Sequence, residues 1–189
     1  MTVKSTSMQF IPLEIPEVVR IQPVVISDAR GFFLESFHRE QFRAAGLPTE
    51  FVQDNHSGSR GGSLRGLHYQ IRRAQGKLVR LVVGEVYDVA VDLRRSSPTF
   101  GRAVGAHLAA DRKDQLWIPP GFAHGFYVLS EWAEVTYKAT NYYAPQWERS
   151  LLWNDPALGI AWPLLDGQRP ILSEKDRNGL PLDSAEVYD

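Results

Sequence analysis

Strict alternation between apolar and polar residues limits this chain more than any other feature. From Trp132 to Asn141, Ala133, Val135, Tyr137 and Ala139 oppose Glu134, Thr136, Lys138 and Thr140. A period of two sends successive side chains to opposite faces, so this run is a strand with one buried face. Lys77 to Val83 and Glu85 to Leu93 are rich in valine and leucine and are joined at Gly84, which predicts consecutive strands. In the second run Tyr87, Val89, Val91 and Leu93 share one face. Asp88 and Asp92 fall on the other and by parity look outward. Pro119-Pro120-Gly121 marks a sharp turn between two further strand-like runs. Only Ser36 to Ala45 and the segment near Asp155 to Leu158 read as helical, and both are short. Many short strands with regular turn signals predict an all-β chain, an antiparallel sandwich or barrel with a few short helices.

Composition narrows the function. A chain of 189 residues suffices for one compact domain with a sizeable core. A net charge of -1 argues against a nucleic-acid partner bound through general basicity. With no cysteine, disulfides, thiolate metal sites and a cysteine nucleophile are excluded. No apolar run reaches membrane-spanning length and no basic-then-apolar leader is visible, so the expectation is a cytoplasmic protein with no membrane partner. Met1 to Ser7 read as a loose start, with Met8 able to begin the ordered chain. No redox cofactor is signalled: there is no Gly-x-Gly-x-x-Gly after a strand and no Gly-Lys-Ser/Thr loop.

The chemistry concentrates in Ser63-Leu64-Arg65-Gly66-Leu67-His68-Tyr69-Gln70 and Gln75-Gly76-Lys77-Leu78-Val79-Arg80. An imidazole takes a proton near neutral pH, an ammonium steadies an oxyanion and a guanidinium holds a phosphate. His68, Lys77 and Arg65 together point to proton abstraction beside a carbonyl on a phosphorylated substrate. Lys77 shares parity with Val79 and Leu81, and Tyr137 with Val135 and Ala139. Both would therefore line a pocket at the mouth of a barrel. Period-two counting puts Arg65 and His68 on opposite faces, so their joint action requires a bulge or kink at Gly66.

Nine motifs, in order, extend this pattern. They are Asp28 to Glu35, Phe51 to Ser57, Leu64 to Gln70, Lys77 to Arg80, Asp88 to Arg94, Ile118 to Phe126, Tyr137-Lys138, Trp153 to Pro156 and Leu172 to Asp176. The chain resembles the dTDP-4-dehydrorhamnose 3,5-epimerase family of the cupin superfamily. The resemblance implies a cupin-type β-sandwich or jelly-roll barrel, a single domain over 1–189, and a C-terminal extension from about residue 145. The implied substrate is a dTDP-4-keto-6-deoxyhexose, whose ketone at carbon 4 acidifies carbons 3 and 5. His68 matches the base, Asp176 its carboxylate partner, Tyr137 the acid on the opposite face and Lys77 the group that stabilises the enolate oxygen. Arg30 and Arg65 match diphosphate contacts, and Tyr143 matches the ring that stacks on thymine. Glu35, Gln53, Asn55, His124, Glu148 and Lys175 match other substrate-binding positions. A homodimer is implied too, its N-terminal strands crossing to the partner over Phe10 to Ile26. No metal is expected, since no two of His38, His56, His68, His107 and His124 are one residue apart as in metal-binding cupins. Two alternatives stay open: an enzyme that inverts only carbon 3 or only carbon 5, and a non-catalytic sugar-nucleotide binder.

Overall fold

The computed structural model describes residues 7–189, so the expected loose start lies outside the described residues except for Ser7. In chain order the strands are β1 (Gln9–Pro12), β2 (Val19–Gln22), β3 (Val25–Asp28), β4 (Gly31–Leu34), β5 (Gln53–Arg60), β6 (Leu64–Gln70) and β7 (Lys77–Val83). Then follow β8 (Glu85–Asp92), β9 (Ala103–Ala109), β10 (Gln115–Ile118), β11 (Phe122–Val128), β12 (Trp132–Ala139) and β13 (Glu148–Ser150). Two short helices, α1 (Arg39–Ala44) and α2 (Glu174–Arg177), complete the set with a few single 3-10 turns. One sheet has the order β1-β2-β10-β7-β12-β5, the other β13-β6-β11-β8-β9, and β3-β4 stands apart as a hairpin. Every strand pair in these sheets is antiparallel. This is the expected cupin-type sandwich.

The two large sheets face each other. Val79, Leu81, Leu116, Ile118 and Val135 from the first meet Val86, Ala90, Leu108, Phe122, Phe126 and Val128 from the second. Each fully buried Val, Leu, Ile or Phe contributes about 1.5–3 kcal/mol, which makes this layer the main source of stability. The outer faces are covered as well. On the second sheet Leu67, Tyr69, Val89 and Val91 pack under Leu151, Leu158 and Ala185 of the C-terminal segment. On the first, Val19, Ile21, Leu78 and Trp117 pack under Met8 and Phe42 of α1.

Gly84 turns the chain from one sheet into the other. Its φ is +79°, and a Cβ there would lie 2.1 Å from the Trp132 carbonyl oxygen, so no other residue fits. The helical stretch expected over Ser36 to Ala45 forms only from Arg39, behind His38 as N-cap. The helical segment expected near Asp155 to Leu158 is a single 3-10 turn over Pro156–Leu158, capped by Asp155. Helix α2 was not foreseen. Asp88 and Asp92 are a correction: both are fully buried rather than outward-facing. Parity separates two faces but does not say which is wet, and β8 is covered on both. β2 pairs on β10 of its own chain and β1 on β2, while β3 belongs to the separate hairpin. No helix among the described residues is long and apolar enough to cross a membrane.

Candidate active site

The site is built at one end of the sandwich around β6. Along its pairing with β11, His68 opposes His124 and Arg65 opposes Phe126, so three steps on β6 match two on β11. This is the bulge expected at Gly66. Gly66 has φ +131°, and a Cβ on it would lie 2.4 Å from the Gly125 Cα. Only glycine allows that approach. Past the bulge, Leu67 turns to the outer cluster and His68 to the cavity side, where it acts electrostatically on Glu148. Arg65 sits close enough to Tyr137 to act on its charge, and its Nε donates to Ser59 Oγ at 2.7 Å.

His68 and Asp176 form a dyad. His68 Nε2 lies 2.5 Å from Asp176 Oδ1, and Asp176 is buried. The carboxylate also accepts from Ser173 Oγ at 2.6 Å and from the Gly66 amide at 3.3 Å. Burial would raise the Asp176 pKa, but His68 and Ser173 outweigh it and hold the acid ionised below its ordinary value. An ionised Asp176 places the proton on Nε2 and leaves Nδ1 as the basic nitrogen. Burial pushes the His68 pKa below 6.5 despite the pull of Asp176, so the ring is neutral and ready to accept a proton at pH 7.

Ser173 orients this carboxylate as the N-cap of α2. The Asp176 amide donates back to Ser173 Oγ at 3.1 Å. Ser173-Glu174-Lys175-Asp176 carries that signature in the sequence, and it is the signal that could have located α2.

Lys77 opens β7 in the opposite sheet and is buried. Its Nζ lies 5.9 Å from the centre of the Tyr137 ring and donates weakly to the His68 carbonyl at 3.5 Å. The ammonium thus reaches the backbone of the residue assigned as base and the ring of the residue assigned as acid. Burial pushes its pKa down to about 8, with Asp88 and then Glu148 opposing the fall. At neutral pH it is still mostly an ammonium. Tyr137 lies on β12, opposite Asn55 of β5 and Val79 of β7. Burial and the nearby Glu148 raise its pKa, so it is a protonated donor.

A polar rim runs from β5 to α2. Gln53 Nε2 donates to Asn55 Oδ1 at 2.9 Å, and Gln53 Oε1 accepts from the Tyr143 amide at 2.8 Å. The half-exposed Tyr143 donates from its hydroxyl to Glu148 Oε2 at 2.8 Å. The other oxygen of Glu148 pairs with Lys175, the neighbour of Asp176. His124, opposite His68, is buried with Nε2 3.0 Å from both oxygens of Asp88. Asp88 is the residue of this cluster that sequence reasoning missed, having placed it on the outside.

Arg30 and Glu35 are not brought to the cluster within the chain. Arg30 lies on the exposed β3–β4 hairpin, paired to Asp28 at 2.6 Å. Glu35 follows the hairpin and lines a surface hollow with Met8, Phe33 and Gln41. A cavity of about 260 Å³ is lined by Asp54, Asn55, His56, Arg80, Gln115 and Tyr137 among others, so it reaches Asn55 and Tyr137 of the expected site. Among the described residues, no three His, Asp or Glu side chains gather as a metal ion would require.

Comparison with known proteins fits this geometry. Residues 12–184 match the family model described as dTDP-4-dehydrorhamnose 3,5-epimerase. The chain belongs to that family. The epimerase of this name from Pseudomonas aeruginosa is 59% identical over 177 residues, spanning 93% of this chain and 97% of the relative. A solved structure of the Legionella pneumophila 3,5-epimerase with dTDP-4-keto-L-rhamnose superposes with a TM-score of 0.91. It is 49% identical and covers 95% of each chain. A 3'-monoepimerase from Streptomyces bikiniensis in complex with dTDP-quinovose has a TM-score of 0.85 at 39% identity, over 92% of this chain and 87% of its own. The epimerase fold therefore hosts both double and single inversion.

Proposed function

We propose that the protein is a dTDP-4-dehydrorhamnose 3,5-epimerase, inverting carbons 3 and 5 of dTDP-4-keto-6-deoxy-D-glucose in one cofactor-independent domain. The observation that carries this reading is the His68–Asp176 dyad with the buried Lys77 beside the His68 backbone and the Tyr137 ring. His68 Nδ1 removes the proton beside the ketone, and Asp176 stabilises the imidazolium that results. Negative charge moves onto the oxygen at carbon 4, where Lys77 stabilises the enolate. Tyr137 returns a proton from the opposite face, which is what inversion demands, since return to the face of departure restores the starting sugar. A phenol with a raised pKa keeps its proton until the carbanion calls for it.

The remaining residues hold the substrate. Arg65 binds the diphosphate, Tyr143 stacks on thymine, and Gln53, Asn55, His124, Glu148 and Lys175 position sugar and base. Arg30 and Glu35 complete the site from a second copy. The hairpin that carries Arg30 leaves Ile26, Phe32 and Phe33 exposed by 62%, 55% and 65%, and a homodimer would cover them. In this reading Arg30 and Glu35 of the partner subunit reach the pocket. A cytoplasmic enzyme fits a chain without cysteine.

The test is incubation with dTDP-4-keto-6-deoxy-D-glucose in heavy water, followed by proton NMR. Deuterium should enter at both carbon 3 and carbon 5. Entry at one carbon alone would assign a single-site epimerase, and entry at neither would leave a binding protein.

A further inference from the structure

The loop that leads from β12 to Tyr143 is held by the side chains of three glutamines. Gln75 Nε2 donates to the Asn141 carbonyl at 2.8 Å, and Gln53 Oε1 accepts from the Tyr143 amide at 2.8 Å. Gln70 makes three such bonds at once. Its Oε1 accepts from the Ala144 amide at 2.7 Å, while its Nε2 donates to the Tyr142 carbonyl at 3.3 Å and to the Arg73 carbonyl at 2.8 Å. Ala144 is buried, so its amide has to be paired, and here a side chain does what a neighbouring strand does elsewhere. Only glutamine suits the place, since the carboxylate of a glutamate would turn an oxygen toward two carbonyl oxygens.

The position of Gln70 in the sheet matters as much. It is buried, ends β6 two residues after His68, and lies opposite Glu148 of β13. Glu148 is also the residue that accepts from the Tyr143 hydroxyl. Cross-strand partners thus fix Tyr143 from both ends, Gln70 through the backbone on either side of it and Glu148 at the phenol tip. A bond at the tip alone would leave the ring free to swing about it.

We propose that Gln70 is a positioning residue for the nucleotide: it holds the loop in the conformation that presents the Tyr143 ring to the base before the substrate arrives. This rests on the reading of Tyr143 as the ring that stacks on thymine and extends it to a residue that acts through that ring. A loop already ordered has no freedom left to lose on binding, so the restraint appears as affinity. The chemistry at His68 and Tyr137 does not depend on it.

The test is Gln70→Met in the full chain, which keeps the length of the side chain and loses all three bonds. Calorimetric titration with dTDP should show Kd raised about tenfold. KM for the ketosugar should rise with it, while kcat falls by less than about threefold. On a Tyr143→Ala background the same substitution should weaken dTDP by less than about twofold more, because the ring it serves is gone. Unchanged dTDP affinity in Gln70→Met beside a weakened Tyr143→Ala overturns the proposal alone. So does full additivity of the two substitutions, or a kcat that falls as far as KM rises. Tyr143→Ala with undiminished affinity overturns the proposal together with the stacking assignment. Should Gln70→Met not fold, amide hydrogen exchange in the wild type decides. The Ala144 amide should be protected before dTDP is added, and one that exchanges freely until dTDP arrives overturns the proposal. Absence of deuterium entry into the ketosugar would defeat the epimerase reading alone, since the dTDP affinities are read without turnover.

Discussion

Replacing Lys77 with methionine should make the protein more stable while abolishing turnover. Methionine matches the length of the lysine stem and has no charge to bury. The magnitude follows from burial, which brings the Lys77 pKa from 10.5 to about 8. At about 1.36 kcal/mol per pH unit, holding the proton at pH 7 costs about 3 kcal/mol relative to an exposed lysine. Imperfect packing of the thioether returns part of this, so the expected gain is about 2–3 kcal/mol, or about 4–12 °C in Tm for a chain of this size. The sign is checked by pH. Above about 8 the folded amine is neutral while the unfolded chain keeps its proton up to about 10.5, so the wild type gains stability as the pH rises across that interval. The advantage of Lys77→Met should therefore shrink by about 2.5 kcal/mol and be nearly gone at pH 10. Urea melts of both proteins at pH 7 and pH 10, with exchange assays alongside, decide the matter. A variant no more stable than the wild type at pH 7, or a gain unchanged at pH 10, refutes the reasoning.

Other consequences are equally open to measurement. The pH profile of wild-type kcat/KM should be bell-shaped, falling on the acid side below 6.5 as His68 gains its proton and on the alkaline side near about 8 as Lys77 loses its own. Asp176→Asn should lower kcat by about 10²–10⁴-fold with little change in KM, because the ring loses its preferred tautomer and the stabiliser of its charged form; retained kcat would remove Asp176 from the mechanism. Gly66→Ala combines a φ of +131° with a Cβ 2.4 Å from the Gly125 backbone, and denaturant melts should register a loss of about 3–5 kcal/mol or failure to fold. The pair Phe32→Ser and Phe33→Ser should turn a dimer into a monomer in sedimentation velocity, and an unchanged dimer would place the interface elsewhere.

Much of the framework was legible because period and punctuation agreed. Lys77 to Val83 is rich in valine and leucine, Trp132 to Ala139 alternates cleanly, and both form strands with almost the expected bounds. The conflict between Arg65 and His68 was itself informative, since Gly66 was the one residue able to absorb it. Where both faces of a strand are covered, alternation stops discriminating, and Asp88 was misplaced for that reason. Helix α2 has four residues, too few for a 3.6-residue period to register. Arg30 and Glu35 belong to the family pattern but lie away from the cluster within the chain, because a motif carries no information about where a side chain sits in space.

The bond between His68 and Asp176 joins residues 108 positions apart. A nascent chain can thus assemble most of both sheets while its base still lacks an oriented partner. Competence arrives only when residue 176 has left the ribosome and its helix has docked. Synthesis itself delays the chemistry.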